Sequence, residues 1–335
     1  VVGGEIAGRF GNVIAALKLI YRTRKAQGEI RRVNVNIAPP TVEQFRQLKK
    51  AGIGTYQCFQ ETYHRPTYEL MHPSGPKADY AWRLQVMDRA YRAKVEDVSL
   101  GVLLGLYDYH YDVTAMVMHA HYLDDRYRIG PHALSVPRLR KAKGTPLCDD
   151  RSLNANRYLL SDRQFKLVVA VLRLALPYAG LILSTRESPA MRRELLNAGV
   201  SQISAGSHVE VGGYETKKKS AEGQFEVEDT RPLDQVLRNV IESGNIPSFC
   251  TACYRCGRTG EKIMDLLKPG TIQEFCFPNA LLTFQEYLED YASPATRKIG
   301  IPFLVKQLER LPKAVRVKTL KKLERVRRGE RDLFF

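Results

Sequence analysis

The sequence predicts an α/β fold, in which a TIM-type (β/α)8 barrel lacking its first strand is followed by a mostly helical C-terminal module. Apolar runs of strand length alternate with amphipathic stretches, giving seven β/α repeats before residue 224. Repeated βα units build parallel sheets, and eight of them close a barrel. The chain also opens on an apolar strand end with no helix before it, and after about residue 224 helical spacing dominates.

Seven apolar runs are the predicted strands, and amphipathic helices separate them. The strands lie within residues 1–5, 31–40, 53–60, 97–105, 132–139, 179–186 and 200–207. Apolar residues at helical spacing predict helices within residues 7–29, 41–52, 79–94, 111–126, 161–177 and 188–199. Thr41 with Gln44, and Ser161 with Gln164, have the spacing of capping boxes. An open doubly wound sheet is the alternative, but the glycine-rich start matches neither G-x-G-x-x-G nor a P-loop.

Composition limits the classes of protein to which this chain can belong. Its 335 residues, 44% of them apolar, are enough for two domains, which we place at residues 1–223 and 224–335. No run approaches the ~20 apolar residues of a membrane-spanning helix, and no secretion leader is recognisable. We therefore expect a cytoplasmic protein without a membrane partner. Clustered cysteines in that compartment bind metals or act in catalysis more often than they form disulfides.

The chain is basic, with 52 Lys and Arg against 36 Asp and Glu and a formal net charge of +16. The excess is concentrated in residues 306–331, which hold eleven Lys or Arg and three Glu. No aromatic residue interrupts this run, so it offers no platform on which bases would stack. We interpret it as a solvated helical tail and expect no nucleic-acid partner.

Polar residues collect at the predicted carboxyl ends of the strands, where barrels of this type have their active sites. They are Gly3, Gly4, Glu5, Asn34, Asn36, Gln57, Gln60, Glu61, His64, His132, Ser135, Arg138, Ser184, Thr185, Arg186, Ser204 and Ser207. Such a set suits a zwitterionic amino acid. Arg186 would bind its carboxylate with two parallel hydrogen bonds. Glu5 or Glu61 would accept hydrogen bonds from an ammonium group or from ribose hydroxyls.

Three cysteines with the spacing C-x2-C-x22-C indicate a metal centre in the C-terminal module. They are Cys250, Cys253 and Cys276. A zinc site would need a fourth ligand, commonly from a second close pair. Cys256 extends the run to C-x2-C-x2-C, a pattern typical of iron–sulfur proteins. Three thiolates would leave one iron of a [4Fe–4S] cluster open to another ligand. Spacing alone leaves cluster and zinc undecided.

Several stretches in chain order resemble the HydG family of radical S-adenosylmethionine tyrosine lyases, which mature [FeFe]-hydrogenase. They include RRVNVNIAPP, AGIGTYQCFQETYHRPTYE, GPHALSVPRLR, LSTRES and SFCTACYRCGRTG. The resemblance runs from residue 1 to about residue 295 and leaves out the basic tail. The 2-iminoacetate synthases of thiamine synthesis also resemble the barrel and are the alternative. We do not expect their C-terminus to carry the three-cysteine motif, so that motif distinguishes the two families.

The resemblance implies a radical S-adenosylmethionine barrel and a two-part reaction. A 5′-deoxyadenosyl radical, made from S-adenosylmethionine on a [4Fe–4S] cluster, takes a hydrogen from tyrosine. The Cα–Cβ bond then breaks, giving p-cresol and dehydroglycine. A second [4Fe–4S] cluster, in the C-terminal module, converts dehydroglycine into CO and cyanide on an additional iron held with a free cysteine. Tyrosine and the other hydrogenase maturation proteins are the implied partners.

The family's functional residues map onto individual positions of this sequence. Gly3, Gly4 and Glu5 correspond to the site that binds the methionine amino group, and Glu61 to a further S-adenosylmethionine contact. Arg186 and Ser204 resemble the residues that bind the tyrosine carboxylate. The resemblance also implies metal ligands. The second cluster would be bound by Cys250, Cys253 and Cys276, and the additional iron by His132.

Two departures from the family pattern affect the predicted activity. The C-x3-C-x2-C loop that holds the radical-generating cluster does not occur in these 335 residues. It belongs after the first barrel strand, which the repeats also lack, so we expect that cluster only where the loop is present upstream. Without it the chain would be inactive, and an iron–sulfur or zinc-binding scaffold is a third reading. Cys256 is the second departure, because the family pattern implies no ligand there.

Overall fold

A computed structural model describes most of the chain, in two compact units formed by residues 1–229 and residues 230–335. The described residues are 1–4, 8–25, 28–140, 155–209 and 226–335. The boundary predicted between residues 223 and 224 falls outside them and stays a prediction. In the described residues no helix is long and apolar enough to cross a membrane.

Parallel strands in chain order form the central sheet of the first unit. The strands are β1 (Arg24–Lys25), β2 (Gly28–Glu29), β3 (Tyr56–Glu61), β4 (Val98–Val102), β5 (Ala133–Ser135), β6 (Gly180–Leu183) and β7 (Gln202–Ile203). β1 and β2 form a separate antiparallel pair, while β3 to β7 pair in parallel, each with its neighbour in the sequence. Single parallel bridges join Val35 to Tyr56 and Val2 to Asn36, so both predicted early strands align with the sheet.

This topology separates the two predicted architectures. A doubly wound sheet reverses its strand order at a switch point, whereas here the order follows the chain without reversal, as it does around a barrel. The predicted α/β fold with parallel strands is therefore confirmed. No pairing among the described residues joins β7 to residues 1–4, so the described sheet is open.

Helices alternate with these strands and then continue alone. They are α1 (Phe10–Arg22), α2 (Val42–Lys50), α3 (Arg65–Met71), α4 (Tyr80–Leu84), α5 (Val86–Arg92), α6 (Tyr109–Tyr127), α7 (Asp162–Ala175), α8 (Pro189–Asn197), α9 (Leu233–Glu242), α10 (Ala252–Arg255), α11 (Glu261–Leu267), α12 (Gln273–Asp290), α13 (Pro294–Leu308) and α14 (Lys313–Arg327). The mostly helical character predicted for the C-terminal region is confirmed.

Local sequence signals account for most helix starts. Both predicted capping boxes are present, at Thr41 with Gln44 and at Ser161 with Gln164. Each pairs a hydroxyl with one orphan N–H of the first turn and a glutamine side chain with another. Such caps typically contribute about 1 kcal/mol. The predicted helix over residues 7–29 was too long, because Thr23 adopts extended backbone after α1 and the β1–β2 hairpin follows.

The second unit packs around a separate apolar core. Its buried cluster includes Leu237 of α9, Leu281 and Phe284 of α12 and Leu323 of α14. Fully burying side chains of this size contributes about 1.5–3 kcal/mol each. The basic run at 306–331 is therefore helical as predicted, but it is not a solvated tail. It contains the end of α13 and all of α14, and Leu323 and Val326 of α14 are buried in this core.

Candidate functional site

Glu61 ends β3 in an unusual backbone conformation at the carboxyl edge of the sheet. The pairing between β3 and β4 shifts register between Phe59 and Glu61, and Glu61 has a φ of 69°, in the left-handed region. Residues other than glycine rarely adopt this conformation, and it often marks a functional position. The Glu61 carboxylate accepts a hydrogen bond from Lys77 Nζ at 2.6 Å, so a cation already compensates its charge.

Arg186 follows β6 by three residues and lies half-buried at the same edge. Its backbone N–H donates to Ser184 Oγ at 3.3 Å, and its guanidinium donates to Arg138 O at 3.4 Å. Burial lowers the pKa of Arg186 to about 10, while the Glu61 and Glu187 carboxylates oppose that shift. The guanidinium therefore stays charged at neutral pH, and the Glu61 carboxylate is near enough to act on it.

Arg138, the other arginine of the predicted site, is committed to the fold. Its guanidinium forms a two-pronged pair with Glu187, with Nε 3.0 Å from Oε1, and a third bond of 2.8 Å to Asp162 Oδ1. Only 5% of Arg138 is exposed. A guanidinium whose donors already meet two carboxylates has little capacity left for a substrate. Of the two arginines, Arg186 is the better candidate for binding a carboxylate.

Ser204 lies directly after β7, the last strand of the described sheet. Its backbone N–H donates to Leu183 O at 3.0 Å, which holds it beside the end of β6. Its carbonyl accepts a hydrogen bond from the Arg192 guanidinium, which in turn pairs with Asp229 at 2.5 Å. The sheet therefore brings Glu61, Arg186 and Ser204 to one edge, as the sequence predicted.

The predicted S-adenosylmethionine residues at the start of the chain are described only in part. Gly3 donates its N–H to Asn36 O at 2.9 Å, and a Cβ built on it would lie 3.1 Å from Ile37 Cγ2. This close approach favours glycine at position 3. Gly4 is exposed, and Glu5 lies outside the described residues. Their roles in cofactor binding stay predictions.

His132 does not lie at the carboxyl edge, where the sequence placed it. It precedes β5, and its N–H donates to Val98 O at the start of β4, so it belongs to the amino edge of the sheet. Its Nδ1 is 3.8 Å from Asp97 Oδ2, and Asp97 also pairs with Arg32 at 3.3 Å. The prediction was wrong because His132 is the first residue of the predicted strand 132–139 and therefore belongs to its amino end. Its role as an iron ligand stays a prediction.

The structure adds a partly buried aromatic and histidine cluster that sequence reasoning largely missed. Tyr63 Oη lies 2.9 Å from His119 Nδ1, and burial lowers the pKa of His119 to about 4. The His64 ring stacks on Tyr107, with centroids 3.7 Å apart. Tyr63 and His64 come directly after β3, and Tyr107 follows β4, so the segments ETYH and GLYDYH were available signals.

Asp112 anchors the turn that follows β3. It is fully buried in α6, and its Oδ1 accepts hydrogen bonds from Thr62 Oγ1 at 2.9 Å and from Tyr63 N at 2.7 Å. Burial raises the pKa of Asp112 to about 6, although both hydrogen bonds favour the ionised form. A carboxyl that titrates near neutral pH therefore fixes the segment carrying Tyr63.

The four cysteines of the second unit differ in burial. Cys250, Cys253 and Cys276 are half-buried, whereas Cys256 is exposed. Burial raises the pKa of Cys250. Burial, with smaller contributions from Cys253 and Cys250, raises the pKa of Cys276 to about 11. Cys276 thus interacts with the two predicted co-ligands, which places these three thiols in one neighbourhood.

The metal-ligand roles of these cysteines stay predictions. In the described residues no three His, Cys, Asp or Glu side chains converge so as to hold one metal ion.

Comparison with known proteins relates both units to one family. A crystal structure of HydG, a maturase of the [FeFe]-hydrogenase, is 52% identical to this chain; the match covers 97% of this chain and 70% of that one, with a TM-score of 0.91. HydG from Carboxydothermus hydrogenoformans is 37% identical, with coverages of 94% and 67% and a TM-score of 0.75.

Other comparisons point to the related thiamine enzymes. The family model of the Biotin and Thiamin Synthesis associated domain matches residues 135–246. The 2-iminoacetate synthase of Escherichia coli is 30% identical over 232 residues, which are 69% of this chain. The chain spans 59% of the length of that curated relative. Since the HydG structures match at higher identity and over both units, the chain belongs to the HydG family.

Proposed function

We propose that this chain contributes the substrate site and the auxiliary cluster site of a radical S-adenosylmethionine lyase that cleaves tyrosine and matures [FeFe]-hydrogenase. The relative that is 52% identical is a maturase of that hydrogenase. The relative that is 30% identical is a 2-iminoacetate synthase, and a tyrosine lyase of that type is the alternative.

One observation carries this proposal over the alternative. Cys250, Cys253 and Cys276 lie half-buried in one neighbourhood of the second unit, while Cys256 is exposed. This is the ligand set that HydG resemblance implies, and we do not expect it in a 2-iminoacetate synthase. The activity rests on a cluster at this position, because its open iron would convert dehydroglycine into CO and cyanide.

The residues at the carboxyl edge of the first unit would bind tyrosine and S-adenosylmethionine. The Arg186 guanidinium presents a planar, charged fork that matches a carboxylate, and Ser204 lies on the adjacent strand end. Glu61, held by Lys77, is available to accept hydrogen bonds from the cofactor, together with Gly3, Gly4 and Glu5. Bound S-adenosylmethionine with its own cluster would supply the radical that starts the reaction.

The buried cluster behind this edge would keep the reacting groups in place and dry. His119 is neutral over the physiological pH range, because its pKa is about 4, and it holds the Tyr63 hydroxyl at 2.9 Å. Exclusion of water protects radical intermediates from side reactions. We assign His132 to the additional iron that is held with a free cysteine. Its position at the amino edge separates it from Arg186, as a two-step reaction with two metal-dependent sites would require.

The proposal also sets the compartment and the partners. Thiolate ligands must stay reduced until iron is inserted, a condition that the cytoplasm meets. The iron-bound CO and cyanide would pass to other hydrogenase maturation proteins.

Anaerobic reconstitution of the chain tests the cluster assignment. We expect iron and sulfide in near-equal amounts, at about one four-iron cluster per chain, with cubane absorption. Replacing Cys250, Cys253 or Cys276 with Ala should abolish the cluster, because each binds a different iron. Cys256→Ala is the matched control from the same motif and should leave iron content unchanged.

Two results would contradict the proposal. Binding of zinc alone would favour a structural metal site, and loss of iron in Cys256→Ala would change the ligand set. In a protein that carries this chain together with a C-x3-C-x2-C loop, p-cresol without CO or cyanide would favour the 2-iminoacetate synthase alternative.

A further inference from the structure

The turn after α10 brings Arg258 back beside the cysteines. Gly257 and Gly260 both have positive φ, of 64° and 59°, a conformation that glycine adopts at little steric cost. Between them, the backbone N–H of Arg258 donates to Cys253 O at 2.8 Å. The turn is therefore tied to the carbonyl of a predicted cluster ligand, and its geometry fixes where the Arg258 side chain starts.

Two further contacts hold the Arg258 guanidinium. One Nη donates to Phe335 O at 2.8 Å. The guanidinium carbon lies 4.6 Å from the centroid of the Phe275 ring, within the range of a cation–π contact. Phe275 directly precedes Cys276, so the guanidinium is held near the thiols from both sides of the motif. The Arg258 side chain cannot move into solvent without losing its contacts with Phe335 O and with the Phe275 ring.

One donor of Arg258 remains unused. Its Nε is buried and, among the described residues, has no hydrogen-bond partner. A buried charged donor without an acceptor is costly, so such a group in a native fold calls for an acceptor that the protein chain does not supply. The guanidinium also acts on the thiols, because it opposes the rise in the pKa of Cys250 and Cys276.

Arg255, three residues earlier, gives an internal comparison. Its guanidinium pairs with the Asp332 carboxylate and lies over the Phe334 ring, 5.5 Å from the centroid. Its charge is thus met within the protein. No Asp or Glu side chain pairs with Arg258 in the described part of the chain. Of two arginines in one motif, Arg255 pairs with a carboxylate side chain, whereas Arg258 lies beside the thiols and donates to Phe335 O.

We propose that Arg258 is the charge-compensating donor of the auxiliary cluster, with its buried Nε–H bonded to a cluster sulfur. This inference rests on the proposed function, because it needs a cluster on Cys250, Cys253 and Cys276. A four-iron cluster with three thiolate ligands carries a net negative charge, and reduction adds another. Hydrogen bonds to the sulfurs and nearby charge set the reduction potential of such clusters. A fixed cation beside the cluster would stabilise its reduced form.

A redox titration of the reconstituted chain, followed by electron paramagnetic resonance, tests this role. Arg258→Gln removes the charge and the Nε–H but keeps a polar side chain of similar reach. We expect iron and sulfide to load as in the parent. The equilibrium constant for reduction of the cluster should fall at least tenfold, which lowers the reduction potential by ~59 mV for a one-electron step. Arg258→Lys keeps the charge and should show a smaller fall. Arg255→Gln is the matched control and should leave the potential unchanged.

Each outcome decides between a charge role and a packing role. A cluster that loads in Arg258→Gln with the parent potential would overturn the inference. Loss of assembly in Arg258→Gln but not in Arg258→Lys would support it, since the two differ in charge. Loss of assembly in both, with Arg255→Gln intact, would overturn it, because packing against Phe275 and Phe335 would then suffice. A parent chain that binds no cluster would instead refute the proposed function.

Discussion

At the scale of single residues, the fold assigns opposite roles to two arginines at neighbouring strand ends. Arg138 is 5% exposed and meets Glu187 and Asp162, so removing it would leave the buried Glu187 carboxylate with Arg140 as its remaining ion-pair partner. The Arg186 guanidinium donates to Arg138 O at 3.4 Å. The sequence placed both at the carboxyl edge, but the carboxylates that commit Arg138 to the fold are distant in sequence and could not be predicted from it.

Arg186→Lys should weaken tyrosine binding. Lysine keeps the charge but loses the planar fork that forms two parallel hydrogen bonds with a carboxylate. Such contacts contribute about 1.5–3 kcal/mol, so the Kd for tyrosine should rise roughly 10- to 100-fold. Isothermal titration with tyrosine measures this directly. The exposed Arg193, on α8 of the same unit, provides the control Arg193→Lys. An unchanged Kd in Arg186→Lys would place the carboxylate site elsewhere.

His132 shows where prediction at this scale failed. The motif GPHALSVPR identified the residue, and the predicted strand 132–139 begins at it. β5 spans Ala133–Ser135, so the start of the strand was predicted to within one residue. The error was to count a residue at the amino end of the strand among those at the carboxyl end.

At the scale of elements, features that depend on neighbouring residues could be predicted, whereas contacts between residues distant in sequence could not. The capping boxes at Thr41 and Ser161 are local, and both are present. Helix α3 was missed because its seven residues are too few for periodicity, although Pro66 in its first turn and His64 at its cap marked it. The link between α6 and the turn after β3 depends on Asp112, whose partners lie about fifty residues away.

Asp112 should make the first unit less stable as the pH rises. The folded-state pKa of about 6 lies above the ordinary value of 3.8, so the folded protein binds more protons between these values. The resulting stabilisation is complete below pH 3.8 and is lost as the pH rises through 6. The full difference corresponds to about 3 kcal/mol. In Asp112→Asn, the free energy of unfolding should not fall by this amount between pH 4 and pH 7.

Urea denaturation at a series of pH values measures the effect, and the comparison with the parent removes the contribution of other groups. Asp125 is exposed on the same helix, so Asp125→Asn should keep the pH dependence of the parent. A parent and an Asp112→Asn variant with equal pH slopes would mean that Asp112 titrates at its ordinary pKa in the folded protein.

At the scale of the whole molecule, the division into two units defines where the chain can be cut. Residues 1–229 and 230–335 each form their own contacts. α9 belongs to the second unit, since Leu237 and Ile241 pack in its core. The sequence located the change in character near residue 224, but it gave no sign that α9 packs with later helices, because an amphipathic helix does not reveal its partner.

A fragment of residues 1–229 should therefore fold better than a fragment of residues 1–245. The longer fragment retains α9 without the core that covers its apolar side, and exposed apolar surface of this kind promotes aggregation. Analytical ultracentrifugation should find the shorter fragment monomeric and the longer one associated. Circular dichroism on both checks that the first unit is folded. Equal solubility, or a shorter fragment that fails to fold, would contradict this division.

The backbone at Glu61 has a consequence for how this protein can evolve. A left-handed residue with a side chain costs about 1 kcal/mol relative to glycine, and Glu61 has a φ of 69°. A single-nucleotide change converts a glutamate codon into a glycine codon. That mutation should raise thermal stability while removing the carboxylate, so drift under selection for folding alone would favour it. Retention of glutamate in a lineage would then record selection for activity. Its replacement by glycine would mark a gene on which that selection no longer acts.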